Sequence, residues 1–126
     1  MPSLPPAPSA PVPLDATALE RLRLLDPEGR NGVVVRVLTA FEASLVRMLG
    51  ELAAQPDPGD AIAVADIAHT LKSSSASVGA LRLAAACSEL EQRLRSHSAP
   101  AQRHDIERLI AEGEAALAAV RAMLHP

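Results

Sequence analysis

The sequence predicts an all-helical domain, folded as an antiparallel up-down-up-down four-helix bundle with a short additional N-terminal helix. Two observations predict this fold class. Hydrophobic residues make up 48% of the 126 residues, yet they are mainly Ala, Leu and Val, with one Phe and no Trp or Tyr. Small side chains favour closely packed helices over sheet layers. Apolar positions also recur every three or four residues in four long segments, which is typical of bundle helices.

The first helix is predicted to be short. Asp15 is a suitable N-cap, and the helix is expected to run to about Leu25 with Leu19, Leu22 and Leu25 on its apolar side. Residues 26–32 are rich in turn formers, which predicts that the helix ends there.

The second helix is predicted to be long, and a sharp break separates it from the third. Its apolar stripe consists of Val34, Leu38, Phe41, Leu45, Leu49 and Leu52. Residues 55–60 contain two prolines and a glycine, so the chain turns there. Asp60 can then cap a third helix. The buried stripe of that helix is predicted to be Val64, Ala68, Leu71, Ser75 and Val78.

Two further helices complete the predicted bundle. Gly79 is a natural helix C-cap, so the fourth helix should begin near Leu81. Its stripe is Leu83, Cys87, Leu90 and Leu94. After a break around Pro100, the apolar residues of the last helix are spaced alternately four and three positions apart, as at the seam of a helical bundle. The seam residues are Ile106, Ile110, Gly113, Leu117, Val120 and Leu124.

Composition and charge exclude several classes of function. The net charge is −3, with acidic and basic residues interspersed, so the chain does not resemble a binder of nucleic acid or of a membrane surface. The single aromatic residue makes a base-stacking platform improbable on chemical grounds. Cys87 is the only cysteine, which excludes an internal disulfide and fits a cytoplasmic protein. No apolar run approaches the ~20 residues of a membrane span.

The N-terminal residues differ from the rest of the chain. Residues 1–13 are mostly Pro, Ala and Ser and contain neither a basic start nor an apolar segment, so they do not form a secretory signal. They are predicted to be a disordered tail or linker. The helical domain is therefore expected to occupy residues 14–126.

His69 is the first candidate functional residue. It lies one position off the apolar stripe of the third helix, so its side chain should point to the flank of the bundle or to solvent. Ala65, Ser73 and Ala76 share its face. An exposed imidazole among small side chains suits a nucleophile that another protein approaches, and we expect this flat face to be the docking surface.

Glu91 is the predicted partner of His69. If the helices on either side of Gly79 are antiparallel, residues at the same height have numbers that sum to roughly 160. Glu91 follows Leu90 of the core stripe as His69 follows Ala68. A carboxylate that accepts from Nδ1–H would fix the tautomer and leave Nε2 for an incoming group. The alternatives for Glu91 are a solvated carboxylate or an i,i+4 pair with Arg95.

The segment 68–95, AHTLKSSSASVGALRLAAACSELEQRLR, resembles the central motif of the histidine-containing phosphotransfer (HPt) domain family. That motif is approximately H-x-L-K-G-S-(S/A)-x-x-x-G-A, followed by a Leu and, further on, a Cys and a Leu-Glu pair. The matching positions are His69, Leu71, Lys72, Ser74, Ser75, Gly79, Ala80, Cys87, Leu90 and Glu91. One position departs from the pattern, because Ser73 stands where the family usually has Gly. Serine keeps this position small.

The resemblance implies a phosphorelay intermediate in two-component signalling. His69 would accept a phosphoryl group from a receiver-domain aspartate and pass it to another receiver, Lys72 would stabilise the phosphoryl group, and Glu91 would orient the imidazole. The partners would be response-regulator receiver domains and a hybrid sensor histidine kinase. The chain itself would need no cofactor and bind no metal, since magnesium would be held by the receiver. It would also have no autonomous kinase activity, because it has no room for an ATP-binding domain.

Two other functions are open at this stage. A sensor-kinase dimerisation bundle also presents a histidine on a helix, but such motifs usually have an acidic residue next and a proline soon after. Here Thr70 follows His69, no proline comes before Pro100, and no Gly-rich nucleotide loop is present. The second alternative is a helical interaction module that is never phosphorylated.

The remaining histidines and the cysteine are not assigned a function. His97, His104 and His125 are predicted to be surface residues, and Cys87 is predicted to be a buried core residue.

Overall fold

The computed structural model describes residues 14–97 and 99–126, and these residues form five α-helices without a β-strand. The predicted all-helical fold class is therefore confirmed. The helices are α1 (Ala16–Leu24), α2 (Val33–Ala53), α3 (Ala61–Ser77), α4 (Leu81–His97) and α5 (Arg103–Leu124). The predicted tail at residues 1–13 lies outside the described residues.

Two aspartates cap helices at the predicted positions. Asp15 accepts a hydrogen bond from the backbone N–H of Ala18 at 3.1 Å, and Asp60 accepts one from Ala63 at 3.0 Å. Each bond satisfies a backbone donor that has no partner inside the helix. These caps begin α1 and α3, so the start of the helix that carries His69 is set by local sequence.

Gly79 makes the turn between α3 and α4 and also anchors the start of α1. Its φ is +82°, which favours glycine. Its carbonyl accepts from the backbone N–H of Asp15 at 2.9 Å. A Cβ at Gly79 would lie 2.6 Å from that same nitrogen. The tight turn therefore needs glycine both for its backbone conformation and for the close approach of Asp15.

The four long helices pack around one core. α3 packs mainly against α4, α2 against α5, and the pairs α4–α5 and α2–α3 complete the ring, while α1 lies against α2. Across α4 and α5, Arg82 pairs with Glu112 and Glu89 pairs with Arg108. Residue numbers rise on α4 as they fall on α5, so these two helices run in opposite directions.

The predicted stripes of α2, α3 and α4 form most of the core. Their large members, including Leu38, Leu45, Leu52, Leu71 and Leu83, are almost completely buried. The prediction for Leu25 is wrong, because the residue follows the last turn of α1 and 72% of it is exposed.

The buried face of α5 is broader than the predicted seam. Leu109, Ala116 and Ala119 are buried, whereas Ile110, Leu117 and Leu124 are only partly buried against the core. The physical reason is that α5 packs against both α2 and α4, so it buries two adjoining stripes rather than one. Gly113 permits this packing, since a Cβ there would lie 2.5 Å from Leu49 Cδ2.

The two inter-helix connections at the other end of the bundle are joined. Gly59 and Ala101 exchange two backbone hydrogen bonds of 2.8 and 2.9 Å. This pairing holds the start of α3 near the segment that follows α4, and so fixes the relative height of the two helices. Over residues 14–97 and 99–126, no helix is sufficiently long and apolar to cross a membrane.

Candidate functional site

His69 projects from the outer side of α3. Its neighbour Ala68 is fully buried, as is Leu71, and these residues hold the inner face of the helix against the core. The His69 side chain is 62% exposed. The position one residue off the stripe therefore places the imidazole at the surface on a rigid helix.

Glu91 on α4 lies directly beside His69. Its side chain is only 10% exposed, and its Oε2 lies 2.9 Å from His69 Nδ1. The antiparallel register around Gly79 predicts this height. Because Nδ1 is the nitrogen that faces the carboxylate, Nε2 is the nitrogen that an incoming group can reach.

Two cations share the same carboxylate. Lys72 Nζ donates to Glu91 Oε1 at 2.7 Å, and Arg95 Nε donates to Glu91 Oε2 at 3.0 Å. Lys72 is the only lysine in the sequence. The alternative of a solvated Glu91 is wrong because the residue is buried. Its i,i+4 pair with Arg95 is present, together with the pair to His69.

These contacts determine the ionisation of Glu91. The hydrogen bond from Lys72, with a further one from Arg95, lowers the pKa of Glu91 from 4.5 to about 2 and outweighs the opposing effect of burial. The group is therefore a carboxylate at neutral pH and acts only as an acceptor. A carboxylate facing Nδ1 favours the neutral tautomer with its proton on Nδ1.

Arg95 also reaches back to α3. Its Nη2 donates to Asp66 Oδ1 at 3.2 Å, so one guanidinium joins the two helices beside His69. The contact between Arg95 and Asp66 was not predicted. The antiparallel register of α3 and α4 could have predicted this contact, because it places Asp66 and Arg95 at the same height.

The predicted docking face needs one correction. Ser73 and Ala76 are exposed on the side of α3 that carries His69. Ala65, however, is buried with only 1% of its surface exposed, because it lies on the side of α3 that packs against α4. Ala65 instead lines an open groove of about 740 Å³ together with Ile62, Leu94 and Arg95. The exposed Ile62 beside this groove was not predicted.

A second buried carboxylate, Asp105, was not predicted either. Arg93 Nη2 donates to its Oδ1 at 2.7 Å, and His104 Nε2 lies 3.4 Å from the same oxygen. The pair of Arg93 with Asp105 could have been predicted from helix positions, because the two residues lie on α4 and α5 on opposite sides of the turn around Pro100. His97, His104 and His125 are exposed, as predicted.

The remaining polar candidates do not add a catalytic group. Cys87 is buried as predicted, and burial raises the pKa of its thiol to about 12. In the part of the chain that the structure describes, no group of three or more His, Cys, Asp or Glu side chains is arranged to hold a metal ion. The arrangement thus consists of an exposed imidazole oriented by a buried carboxylate, which suits transfer to and from a partner protein.

Comparison with known protein families gives a match over most of the chain. A family model described as "Hpt domain" matches residues 36–124, a range that contains His69, Lys72, Glu91 and all four long helices except the first residues of α2. No curated protein and no solved structure shows significant similarity to the chain.

Proposed function

The chain belongs to the Hpt domain family, whose members carry phosphoryl groups on histidine in two-component phosphorelays, and we propose that His69 is its phosphoacceptor. In this proposal, His69 accepts the phosphoryl group from the aspartate of one receiver domain and passes it to the aspartate of another. The observation that carries the proposal is the exposed imidazole of His69 with Nδ1 held 2.9 Å from Glu91 Oε2.

The chemistry follows from that contact. The Nε2 lone pair attacks phosphorus, the new N–P bond forms, and the P–O bond to the receiver aspartate breaks so that its carboxylate leaves. The proton on Nδ1 stays between the ring and Glu91, which stabilises the positive charge that develops on the imidazole. Return transfer runs the same step in reverse to a second receiver.

Lys72 and the partner supply the remaining electrostatic stabilisation. The phosphoryl group brings negative charge beside Lys72, whose ammonium lies on the same carboxylate as His69. Phosphoryl transfer depends mainly on in-line positioning and charge neutralisation. We assign the magnesium ion to the receiver domain. The chain is then a carrier without kinase activity of its own, which is general in the family.

The finer parts of the architecture belong to the same proposal. We infer an up-down-up-down order for α2 to α5 and a domain that begins near residue 14. Contacts at matching heights support the order. Glu42 and Leu49 of α2 lie beside Arg121 and Gly113 of α5, respectively, so residue numbers rise on one helix as they fall on the other. Asp66 and His69 of α3 pair with Arg95 and Glu91 of α4 in the same antiparallel sense. A hybrid sensor kinase as upstream partner and a cytoplasmic location stay predictions.

The test is acceptance of phosphate from a phosphorylated receiver domain. The wild-type chain should gain acid-labile phosphate, and His69→Gln should gain none while keeping its helical circular dichroism, since exposed substitutions usually change stability by about 0.5 kcal/mol or less. His104→Gln is the matched control, because His104 is also an exposed histidine beside a buried carboxylate. Label retained by the His69 variant would overturn the assignment.

The same experiment addresses the two other functions. A sensor-kinase dimerisation bundle would need a kinase domain and ATP before it became labelled, and an interaction module would not become labelled at all. Labelling of the isolated chain by a phosphorylated receiver in the absence of ATP is expected only of a phosphotransfer domain.

A further inference from the structure

We propose that Arg95 is a positioning residue for phosphoryl transfer, which fixes the plane of the Glu91 carboxylate so that Oε2 faces His69 Nδ1. This inference rests on the proposed function of His69. It concerns a side chain that does not touch the reacting nitrogen and acts through Glu91.

The contacts of the guanidinium are the first support. Arg95 Nε binds Oε2 of Glu91, the same oxygen that faces His69, while Nη2 binds Asp66 on the opposite helix. A guanidinium is planar, and its donors have fixed directions. Holding it at two carboxylates on two helices therefore fixes the direction from which Oε2 is approached.

Lys72 cannot supply the same restraint. Its ammonium contacts Oε1 through a single nitrogen at the end of a flexible stem. One such contact fixes the position of one oxygen but permits the carboxylate to turn about it. The contact from Arg95 to Oε2 removes that freedom, because each carboxylate oxygen is then held by a cation.

The exposure of this cluster argues against a role in stability alone. The side chains of Asp66 and Arg95 are 66% and 47% exposed, and exposed ion pairs contribute only about 0–1 kcal/mol to folding. The buried member of the cluster is Glu91, whose third donor is His69. The contacts of Arg95 with Asp66 and Glu91 therefore serve mainly to hold the carboxylate that orients His69.

The test compares Arg95→Ala with Arg93→Ala in the full chain. Arg93 is the matched control, because it is an arginine on the same helix that pairs with Asp105 instead of Glu91. The first readout is nitrogen-15 NMR of His69 without phosphate or partner, at a pH where the ring is neutral, which gives the fraction protonated on Nδ1. The second is the rate of phosphate acceptance from a phosphorylated receiver.

We expect Arg95→Ala to reduce the fraction protonated on Nδ1 and to slow acceptance on the order of tenfold, since small errors in positioning are costly. Arg95→Lys keeps the charge but loses the planar fork, so its Nδ1–H fraction and its acceptance rate should lie between those of Arg95→Ala and the wild-type chain. Asp66→Asn should cause a smaller change in the same direction. Arg93→Ala should match the wild-type chain in both readouts.

Two results would overturn the inference. If Arg95 acted by charge alone, removing it would leave Glu91 more negative, and the proton would be held more strongly on Nδ1. A higher Nδ1–H fraction in Arg95→Ala, restored to the wild-type value in Arg95→Lys, would therefore show a purely electrostatic effect. A lower melting temperature with unchanged tautomer and rate would assign it a structural role. If no receiver labels the wild-type chain, the proposed function fails, while the tautomer comparison still tests Arg95.

Discussion

Glu91 and Asp105 are the two buried carboxylates among the described residues, and their surroundings share the same components. Each accepts from an arginine of α4 and lies beside one exposed histidine. The two histidines nevertheless face their carboxylates through different nitrogens. His69 uses Nδ1, the nitrogen nearer the backbone, whereas His104 uses Nε2.

This difference decides what each histidine presents to a partner. With Nδ1 held, the protruding nitrogen of His69 is the one that an incoming phosphoryl group would meet in the proposed function. His104 turns its protruding nitrogen back toward Asp105, its neighbour in the sequence. Among the described residues, Arg93 and His104 are the partners of Asp105, which therefore has no counterpart of Lys72. A histidine beside a buried carboxylate is therefore insufficient, because the nitrogen that remains accessible determines whether the pair can serve transfer.

The largest effect is expected when the Glu91 carboxylate, but not that of Asp105, is replaced by its amide. Glu91→Gln places an amide beside Nδ1 that can donate as well as accept, which weakens the preference for the Nδ1–H tautomer. We expect phosphate acceptance to fall by about 10- to 100-fold, in line with the loss of other imidazole-orienting groups. Asp105→Asn should leave the rate unchanged. The rate of phosphate acceptance from a phosphorylated receiver is measured for both variants. Equal losses of rate would show that the Glu91 and Asp105 carboxylates do not differ in the way proposed.

A bulky residue on the proposed docking face should have the next largest effect. Ser73→Arg places a long side chain one turn from His69, on the face that we expect the receiver to contact. We predict that transfer slows about tenfold or more in both directions, because in-line approach is obstructed. Ala118→Arg is the control on α5, where the residue is exposed but α3 is not a main packing partner. Unchanged rates for a folded Ser73→Arg variant would place docking elsewhere.

Lys72→Ala should have a moderate effect on transfer. The variant removes charge near the phosphoryl group but leaves Arg95 on Glu91, so we expect acceptance to slow several-fold without being abolished, as for one ion pair near a surface. The lifetime of phosphorylated His69 should shorten in parallel. Lys72→Arg keeps the charge and is expected to restore most of the rate. Complete loss of acceptance in Lys72→Ala would instead make Lys72 essential for the chemistry.

The smallest effect concerns stability in acid. Since the pKa of Glu91 falls from 4.5 to about 2 on folding, the paired carboxylate stabilises the folded state fully above about pH 4.5 and loses this contribution as the pH falls toward 2. The difference in melting temperature between wild type and Glu91→Gln should therefore shrink over that interval. Glu89→Gln, on an exposed carboxylate of the same helix, is the control. A constant difference down to pH 2 would contradict the linkage.

Much of the fold follows from local signals in the sequence. The caps at Asp15 and Asp60 bond to residues three positions on, and the turn at Gly79 needs a positive φ that glycine allows, which is why these helix boundaries could be predicted. The exposed Leu25 shows the limit, because burial at the end of a short helix depends on what lies opposite. The broad buried face of α5 could not be predicted for the same reason, since it depends on two neighbouring helices.

The candidate site was predicted where helix register alone determines the contact. The pairing of His69 with Glu91 needs only the turn at Gly79 and the antiparallel direction. The burial of Ala65 required knowing how α3 is rotated against α4. The bridge from Arg95 to Asp66 depends on side-chain conformations that helix periodicity does not specify.

Cys87 lies one turn before Glu91 on α4, and it is the only thiol in the chain. Burial raises its pKa to about 12 and removes it from solvent, so an alkylating reagent can reach it only when the helix opens. The rate of alkylation then measures how often α4 opens one turn from Glu91. If His69 is phosphorylated as proposed, comparing the alkylation rate with and without that phosphate would show whether phosphorylation stabilises this part of the bundle.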